Sequence, residues 1–434
     1  MTVAPVDGRP LPGPSLRDVL PVWWRIGLLS FGGPAAQIAL IHREVVEARG
    51  WLSERRFLDA LSFCMLLPGP EAMQLATYAG WRMHGVRGGL VAGGLFVLPG
   101  AVVIAVLAGL YARLGDLPLV QALFLGVKAA VLVIVVEALL RVARRALAGP
   151  EAWVLAGAAF AALLVFAVPY PLVVAAAALW GWLRLRDGRA EEPDSAPAPA
   201  STASTLRTVA VWGALWLVPL SLLHVAAPAV LAEVGRFFSV LAVVTFGGAY
   251  AVLAYMTQEA VAGQGWLTTG EMMDALGLAE TTPGPLILVT QFVGFLAAER
   301  AAPAGLGLAW GLAGAAVTLW VTFVPCFLFV FAGAPWIERL SARPGLRAAL
   351  AGVSAAVVGV IANLSVWFGL HVLFATVASW EAGPVRLALP EVTSFDWRSA
   401  AIATGAAVLL LGLGRGIPLT LALCSAAGVL LAAV

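Results

Sequence analysis

The sequence predicts an all-α polytopic membrane protein with about 13 transmembrane helices, because many apolar segments reach the roughly 20 residues that a spanning helix needs. The chain has 434 residues, of which 61% are hydrophobic and 12% are charged. That charged fraction is about half of what soluble domains carry, which excludes a soluble protein of this size. A water-filled β-barrel is also excluded, since its strands would alternate between polar and apolar residues.

Six apolar segments and a linker make up the first half of the chain. The segments are 16–43, 57–81, 88–112, 118–140, 151–168 and 169–183. Pro169 and Pro171 separate the last two, which form either a tight helical hairpin or one broken helix. Residues 187–205 are rich in Glu, Pro, Ala, Ser and Thr and have too little apolar content to pack, so a solvated linker is expected there.

Seven further apolar segments follow the linker. They are 206–227, 231–257, 271–297, 304–333, 346–374, 399–413 and 416–434. The first of them has no equivalent before the linker, and we interpret it as an extra helix between two related halves.

An internal repeat is the strongest signal in the sequence. Phe31-Gly32-Gly33 recurs as Phe246-Gly247-Gly248, and Pro68-Gly69-Pro70 recurs as Pro283-Gly284-Pro285, both at an offset of 215 residues. An offset of 226 later aligns Pro99 with Pro325, which indicates an insertion of about eleven residues in the second copy. The predicted organisation is a first repeat (1–186), the linker (187–205), an extra helix (206–228) and a second repeat (229–434).

The number of segments predicts how the two copies lie in the membrane. Six spans and one extra helix precede the second copy, which is an odd number of membrane crossings. The two copies therefore enter the membrane from opposite sides, as in the inverted repeats of secondary transporters. Arginines such as Arg82, Arg87, Arg141 and Arg144 fall on one side, which favours a cytoplasmic N-terminus. The arginines between Arg43 and Arg56 oppose this orientation, although acidic residues surround them.

The repeated glycine and proline motifs predict broken helices inside the membrane. Proline removes an amide donor and glycine frees the backbone, and a broken backbone at membrane depth must be buried in protein or line a cavity. The N–H groups at half-helix ends would then bind a small anion; the alternative is close packing through glycine with proline kinks. The candidate substrate-binding residues are Gly32, Gly33, Pro68, Gly69, Pro70, Gly247, Gly248, Thr282, Pro283, Gly284 and Pro285, with Gln74 and Gln291 beside the turns.

A few ionisable residues lie inside apolar segments, where each is costly. Arg25 precedes the first break, and Lys128, the single lysine, is either a substrate countercharge or a residue that reaches an interface. Glu137 is expected to pair with Arg141, four residues on. Glu44 and its repeat counterpart Glu259 are either proton carriers beside an anion path or interfacial acids whose charge is balanced by a neighbouring arginine or by solvent.

The sequence gives no indication of a metal, nucleotide, catalytic or nucleic-acid site. Cys64, Cys326 and Cys424 are scattered in apolar segments, which predicts no metal site and no disulfide framework. Nucleotide-binding and nucleophile motifs are missing too, and a net charge of +2 without basic runs gives no reason to expect nucleic acid. We therefore expect no cofactor, and any active transport must use ion gradients or the membrane potential.

These motifs resemble the chromate ion transporter family in its long, two-domain form. The resemblance rests on Phe31 to Pro34, Gly50 to Leu52 and Leu67 to Pro70, and on their second copies at 246–248, 265–267 and 282–285. Two departures, Ala249 for the proline at 34 and Thr282 for Leu67, indicate that the halves contribute unequally to the site.

The resemblance implies export of chromate, a tetrahedral oxyanion, across the bacterial inner membrane. Sulfate or another anion is an alternative substrate, because sulfate shares the shape and charge of chromate. An alternative of another class is an integral-membrane enzyme that acts on lipid phosphates, for which only the stretch from His42 to Asp59 offers suitable groups. The expected partners are the anion and the lipid bilayer, with a homodimer as a candidate assembly.

Overall fold

Helices make up most of the described part of the chain, as the apolar segments predict. The computed structural model describes residues 14–184, 201–244, 246, 249–337, 343–383 and 385–432. Most of the predicted linker and both glycines of the second Phe-Gly-Gly motif, Gly247 and Gly248, lie outside the described residues.

The first repeat contains seven described helices, and its first two predicted spans are each interrupted. These helices are α1 (Leu16–Leu29), α2 (Gly33–His42), α3 (Glu54–Leu66), α4 (Glu71–Leu114), α5 (Pro118–Ala146), α6 (Pro150–Leu164) and α7 (Tyr170–Arg184). A π-helical turn, Arg43–Glu47, continues α2. The last two predicted segments are separate helices rather than one broken helix, and Ala167 between them has a positive φ of 47°.

Helix α4 reverses direction about a third of the way along its length. Its first arm is the end of the predicted segment 57–81, and its second arm contains the predicted segment 88–112. His84 and Gly85 leave the helical conformation, and Gly85 has φ 60° and ψ −153°. A Cβ on Gly80 would lie 2.3 Å from the carbonyl oxygen of Gly88, on the far side of the break. Such an approach requires the two arms of α4, 71–83 and 86–114, to fold back on each other.

The second repeat follows an extra helix and has the same order of elements. The helices are α8 (Thr202–Ala226), α9 (Ala229–Val244), α10 (Ala249–Gln258), α11 (Thr269–Thr281), α12 (Val289–Arg300), α13 (Gly307–Gly333), α14 (Pro344–Leu373), α15 (Trp397–Ala407) and α16 (Ile417–Ala432). Short π or 3-10 turns at Glu259–Gly263, Leu286–Leu288, Ala334–Trp336, Val392–Ser394 and Val408–Gly412 adjoin them. The extra helix α8 begins four residues before the predicted start and buries none of its residues.

A β-hairpin between α14 and α15 is an element that the sequence analysis does not predict. Strands β1 (Val377–Ala382) and β2 (Val385–Pro390) pair antiparallel, and most of their residues are exposed. The Arg386 N–H donates to the carbonyl oxygen of Val165 at 2.8 Å, at the end of α6. Six-residue strands are too short to stand out from the surrounding helical pattern.

The backbone repeats its special conformations at the predicted offset. Helices α3 and α11 each have 13 residues and begin 215 positions apart. Gly50 and Gly265 have φ values of 61° and 63°, and Gly69 and Gly284 have φ values of 121° and 92°. The duplicated sequence therefore folds into duplicated local structure, while the inverted relation between the copies stays a prediction.

Several helices are suited to crossing a membrane. Among the described residues, five have the necessary length and apolar composition: Glu71–Leu114, Pro118–Ala146, Thr202–Ala226, Gly307–Trp336 and Pro344–Leu373. The apolar helices α6, α15 and α16 are shorter. The chain is thus a multi-pass α-helical membrane protein, and the count of about 13 spans stays a prediction.

Candidate functional site

The first helix break lies at the Phe-Gly-Gly-Pro motif. Helix α1 ends at Leu29 and α2 begins at Gly33, with φ of 84° at Gly32 and 78° at Gly33. Glycine adopts this left-handed conformation without the steric cost that a side chain brings. The N–H groups in the first turn of α2 have no acceptor within the helix, so this end carries a partial positive charge.

The first break is bonded directly to the second Pro-Gly-Pro turn. The Gly284 N–H donates to the carbonyl oxygen of Ser30 at 2.9 Å. The Nε2 amide of Gln37, which is 2% exposed, donates to the carbonyl oxygens of Gly284 at 2.7 Å and of Ser30 at 3.2 Å. Two breaks from different copies of the repeat therefore form one buried contact. Sequence reasoning missed Gln37, although it follows the first motif by only three residues.

Helix α10, which follows the second Phe-Gly-Gly motif, reaches the same place through Tyr250. This residue lies in the first turn of α10, and its Oη donates to Oε1 of Glu280 at 2.9 Å. A Cβ on Gly33 would lie 3.9 Å from that Oη. We call this group the junction: Ser30, Gly33, Gln37, Tyr250, Glu280 and Gly284.

The Pro-Gly-Pro turns are exchanged between the copies, in the sense that each turn packs on a helix of the other copy. The Gly284 turn lies on the second arm of α4, where a Cβ on Gly100 would come within 2.1 Å of the Pro283 carbonyl oxygen. A Cβ on Gly69 would lie 2.8 Å from Sγ of Cys326, in α13. Gly100 and Cys326 match at the offset of 226, so each turn packs on the corresponding helix of the other copy.

The polar residues that flank the turns bond to the backbone. Gln74 Nε2 donates to the Pro68 carbonyl oxygen at 2.7 Å, and Gln291 Nε2 donates to that of Ala101 at 2.9 Å. Thr282 Oγ1 donates to the carbonyl oxygen of its own helix, at Ala279. These three side chains therefore each donate one hydrogen bond to the protein's own backbone.

Arg25 and Glu44 belong to a separate ion-pair cluster. Arg49 Nη1 lies 2.5 Å from Oε2 of Glu44, and Arg25 Nη1 lies 3.9 Å from the other carboxylate oxygen. Glu44 is 5% exposed, whereas the Arg25 side chain is largely exposed. Glu259, in the matching π turn, is half-buried, and no ion pair involves it among the described residues. The matched acids therefore have unequal surroundings.

The surface stretch that we considered for an enzyme also forms ion pairs. His42 Nε2 lies 2.8 Å from Oε2 of Glu54, and its Nδ1 lies 3.2 Å from Oε1 of Glu47. Both glutamate side chains are about 60% exposed, and Asp59 faces outward as well. This cluster is a solvated surface network rather than an enclosed reaction site.

Lys128 lies in a cavity of about 600 Å³ between α4, α5, α11 and α12. Its Nζ is 3.1 Å from Oδ1 of Asp274, and Tyr111 Oη donates to Oδ2 of the same carboxylate at 2.7 Å. Arg300, also at the cavity, pairs with Glu271. Both cations of the cavity are thus paired with carboxylates, and the Lys128 pair joins the two repeats. Sequence reasoning singled out Lys128 but did not predict its pairing with Asp274.

Comparisons with known proteins agree with the motifs. The family model described as chromate transporter matches residues 17–182 and 232–431. A chromate transport protein of Cupriavidus metallidurans is 30% identical over 354 residues, which is 80% of this chain and 81% of that protein. One of Pseudomonas aeruginosa is 33% identical over 78% of this chain and 77% of its own length. A probable chromate transport protein of Synechococcus elongatus is 29% identical over 86% of this chain and 92% of its own length. No solved structure matches the chain.

Proposed function

Because the chain belongs to the chromate transporter family, we propose that it exports chromate across the bacterial inner membrane, with its N-terminus in the cytoplasm. The family indicates a transporter rather than an enzyme. In our proposal the two repeats are inverted and rock against each other, and the anion binds where their broken helices meet.

The observation that carries this proposal is the hydrogen bonding across the junction. Secondary transporters bind substrate near the bilayer midplane, at the interface between their repeats and at the ends of discontinuous helices. The contacts of Gln37 and Gly284 join the ends of interrupted helices from both copies, which supports a site at this place. The first turn of α2 offers N–H donors and a positive helix end, which favour a tetrahedral oxyanion without a full positive charge.

The membrane potential supplies a driving force for export. Chromate is largely a dianion near neutral pH, and the cytoplasm is negative. Because each charge contributes about 2.3 kcal/mol per 100 mV, a potential of about 100 mV favours outward movement of the dianion by about 4.6 kcal/mol. Proton exchange through Glu44 or Glu259 would add to this drive, and the tight pairing of Glu44 with Arg49 favours Glu259 of the two.

Uptake of labelled chromate into everted vesicles tests the site. Gly33→Leu and Gly284→Leu are expected to abolish uptake at normal expression, because both put a side chain at a positive φ inside the junction. Gly50→Leu is the matched control, since Gly50 also has a positive φ but nothing lies within 4 Å of its added Cβ. Normal uptake by both junction variants would refute the site, and competition with unlabelled sulfate decides whether sulfate is also a substrate.

A further inference from the structure

Glu280 is a buried carboxyl group that the transport proposal does not yet use. It is 5% exposed and lies at the end of α11, two residues before the second Pro-Gly-Pro turn begins with Thr282 and Pro283. Its hydrogen-bond donor is Tyr250, and no cation forms an ion pair with it among the described residues. A buried carboxylate is costly in a membrane protein, and ionisable residues in such positions commonly serve a function.

The surroundings of Glu280 contain few other charges. Tyr250 on α10 donates a hydrogen bond to it, and Arg141 and Glu137 on α5 interact with it electrostatically. Arg141 is paired with Glu137, so its charge is already balanced. Within the described part of the chain, α4, α12, α16 and the turns at Glu259–Gly263 and Leu286–Leu288 also pack against α11, and no charged group on them forms an ion pair with Glu280.

Glu280 lies close to the helix end where we place the anion. Tyr250 Oη is 3.9 Å from the position of a Cβ on Gly33 and 2.9 Å from Glu280 Oε1. Glu280 Oε1 is therefore at most 6.8 Å from that position, the sum of the two distances. An ionised carboxylate this near would repel a dianion and would itself compensate the positive end of α2.

We propose that Glu280 is a proton-binding site at the junction, and that the oxyanion binds together with one proton that neutralises this carboxyl group. The inference rests on the proposed function, because it takes the anion to lie at the end of α2. The proton and the anion are then bound at the same time, and both cross the membrane in the same direction. This coupling is opposite in sign to an exchange of protons for chromate through Glu44 or Glu259, and it would replace that exchange.

Chromate binding to the purified protein as a function of pH tests the proposal. The wild type is expected to bind labelled chromate more tightly as the pH falls, by up to about tenfold per pH unit where Glu280 titrates. Glu280→Gln is expected to remove that dependence and to keep the affinity that the wild type has at low pH. Chromate itself binds a proton near neutral pH, whereas sulfate keeps its double charge. Competition by sulfate is therefore measured at the same pH values, to separate the titration of the protein from that of chromate.

Controls keep the experiment decisive. Asp59→Asn removes an exposed carboxylate from α3 and is expected to leave the pH dependence unchanged. If Glu280→Gln does not fold, Tyr250→Phe replaces it: loss of the hydrogen bond to the ionised carboxylate moves the midpoint of the pH dependence upward. An unchanged slope in Glu280→Gln, loss of binding in the folded variant, or an unchanged midpoint in Tyr250→Phe would overturn the proposal.

Flux in proteoliposomes provides a second readout. A pH-sensitive dye inside the vesicles is expected to report one proton moving with each chromate ion in the wild type, and none in Glu280→Gln. Proton movement against the chromate flux would overturn the proposal while leaving chromate transport intact. Failure of the wild type to bind or move chromate at any pH would instead refute the proposed function.

Discussion

The ion pair between Lys128 and Asp274 should couple the two repeats energetically. Lys128→Met leaves the Asp274 carboxylate 5% exposed with Tyr111 as its hydrogen-bond donor. Asp274→Ala leaves the lysine without its counter-ion. Removing one partner of a buried pair is costly because it leaves an uncompensated charge, whereas removing both avoids that cost.

The magnitude follows from the geometry. At 3.1 Å and an effective dielectric constant of about 20, the Coulomb attraction is about 5 kcal/mol. The Lys128 side chain is 24% exposed and borders a cavity, so solvent reduces this value. We expect each single variant to lose about 3 kcal/mol and the pair to show a coupling energy of about 3 kcal/mol, so that the double variant loses no more than either single variant.

A double-mutant cycle measures the coupling. The fraction of protein that stays folded in detergent is followed against temperature for the wild type, both single variants and the double variant. The exposed pair Arg386 and Glu381, 3.5 Å apart on the β-hairpin, is the matched control and should show coupling below about 1 kcal/mol. The reasoning would be refuted if the losses of the two single variants, at Lys128 and Asp274, sum to the loss of the double variant within about 0.5 kcal/mol.

Further predictions concern the exchanged turn and the hairpin. Gly100→Ala is expected to displace the second turn and abolish chromate uptake, whereas Gly94→Ala, on the same arm of α4 with open space around it, should be neutral; equal effects would contradict the packing. Gln37→Leu leaves the carbonyl oxygens of Ser30 and Gly284 short of a donor and should cost about 1–3 kcal/mol in thermal unfolding. Replacing the exposed β-hairpin by a short linker should preserve uptake in vesicles, and loss of uptake would assign it a role in transport.

Local chemistry made the helix breaks predictable. Glycine with positive φ and proline without an N–H act within a few residues, so the motifs at 31–34 and 68–70 indicate where α1 and α3 end. The repeat was predictable for a similar reason, because identical residues at one offset impose the same local conformation.

Long-range partners could not be predicted in the same way. A single acid such as Glu280 or Asp274 has no sequence signature of what it faces, and its partners Tyr250 and Lys128 are 30 and more than 100 positions away. The exchange of the Pro-Gly-Pro turns depends on the packing of whole helices, and no motif within one copy records it. The candidate residues Gln74 and Gln291 were chosen by nearness in sequence, yet their amides bond to local and distant backbone carbonyls.

The exchange of the two turns has a consequence for how such a protein could have arisen. A polypeptide with a single repeat would have a Pro-Gly-Pro turn but no second copy to receive it, so it would need two chains to complete one site. Joining the copies through α8 turns that encounter into an intramolecular one, which no longer depends on protein concentration. Fusion also frees each receiving helix to change separately: the position that receives the turn is Gly100 in the first copy and Cys326 in the second.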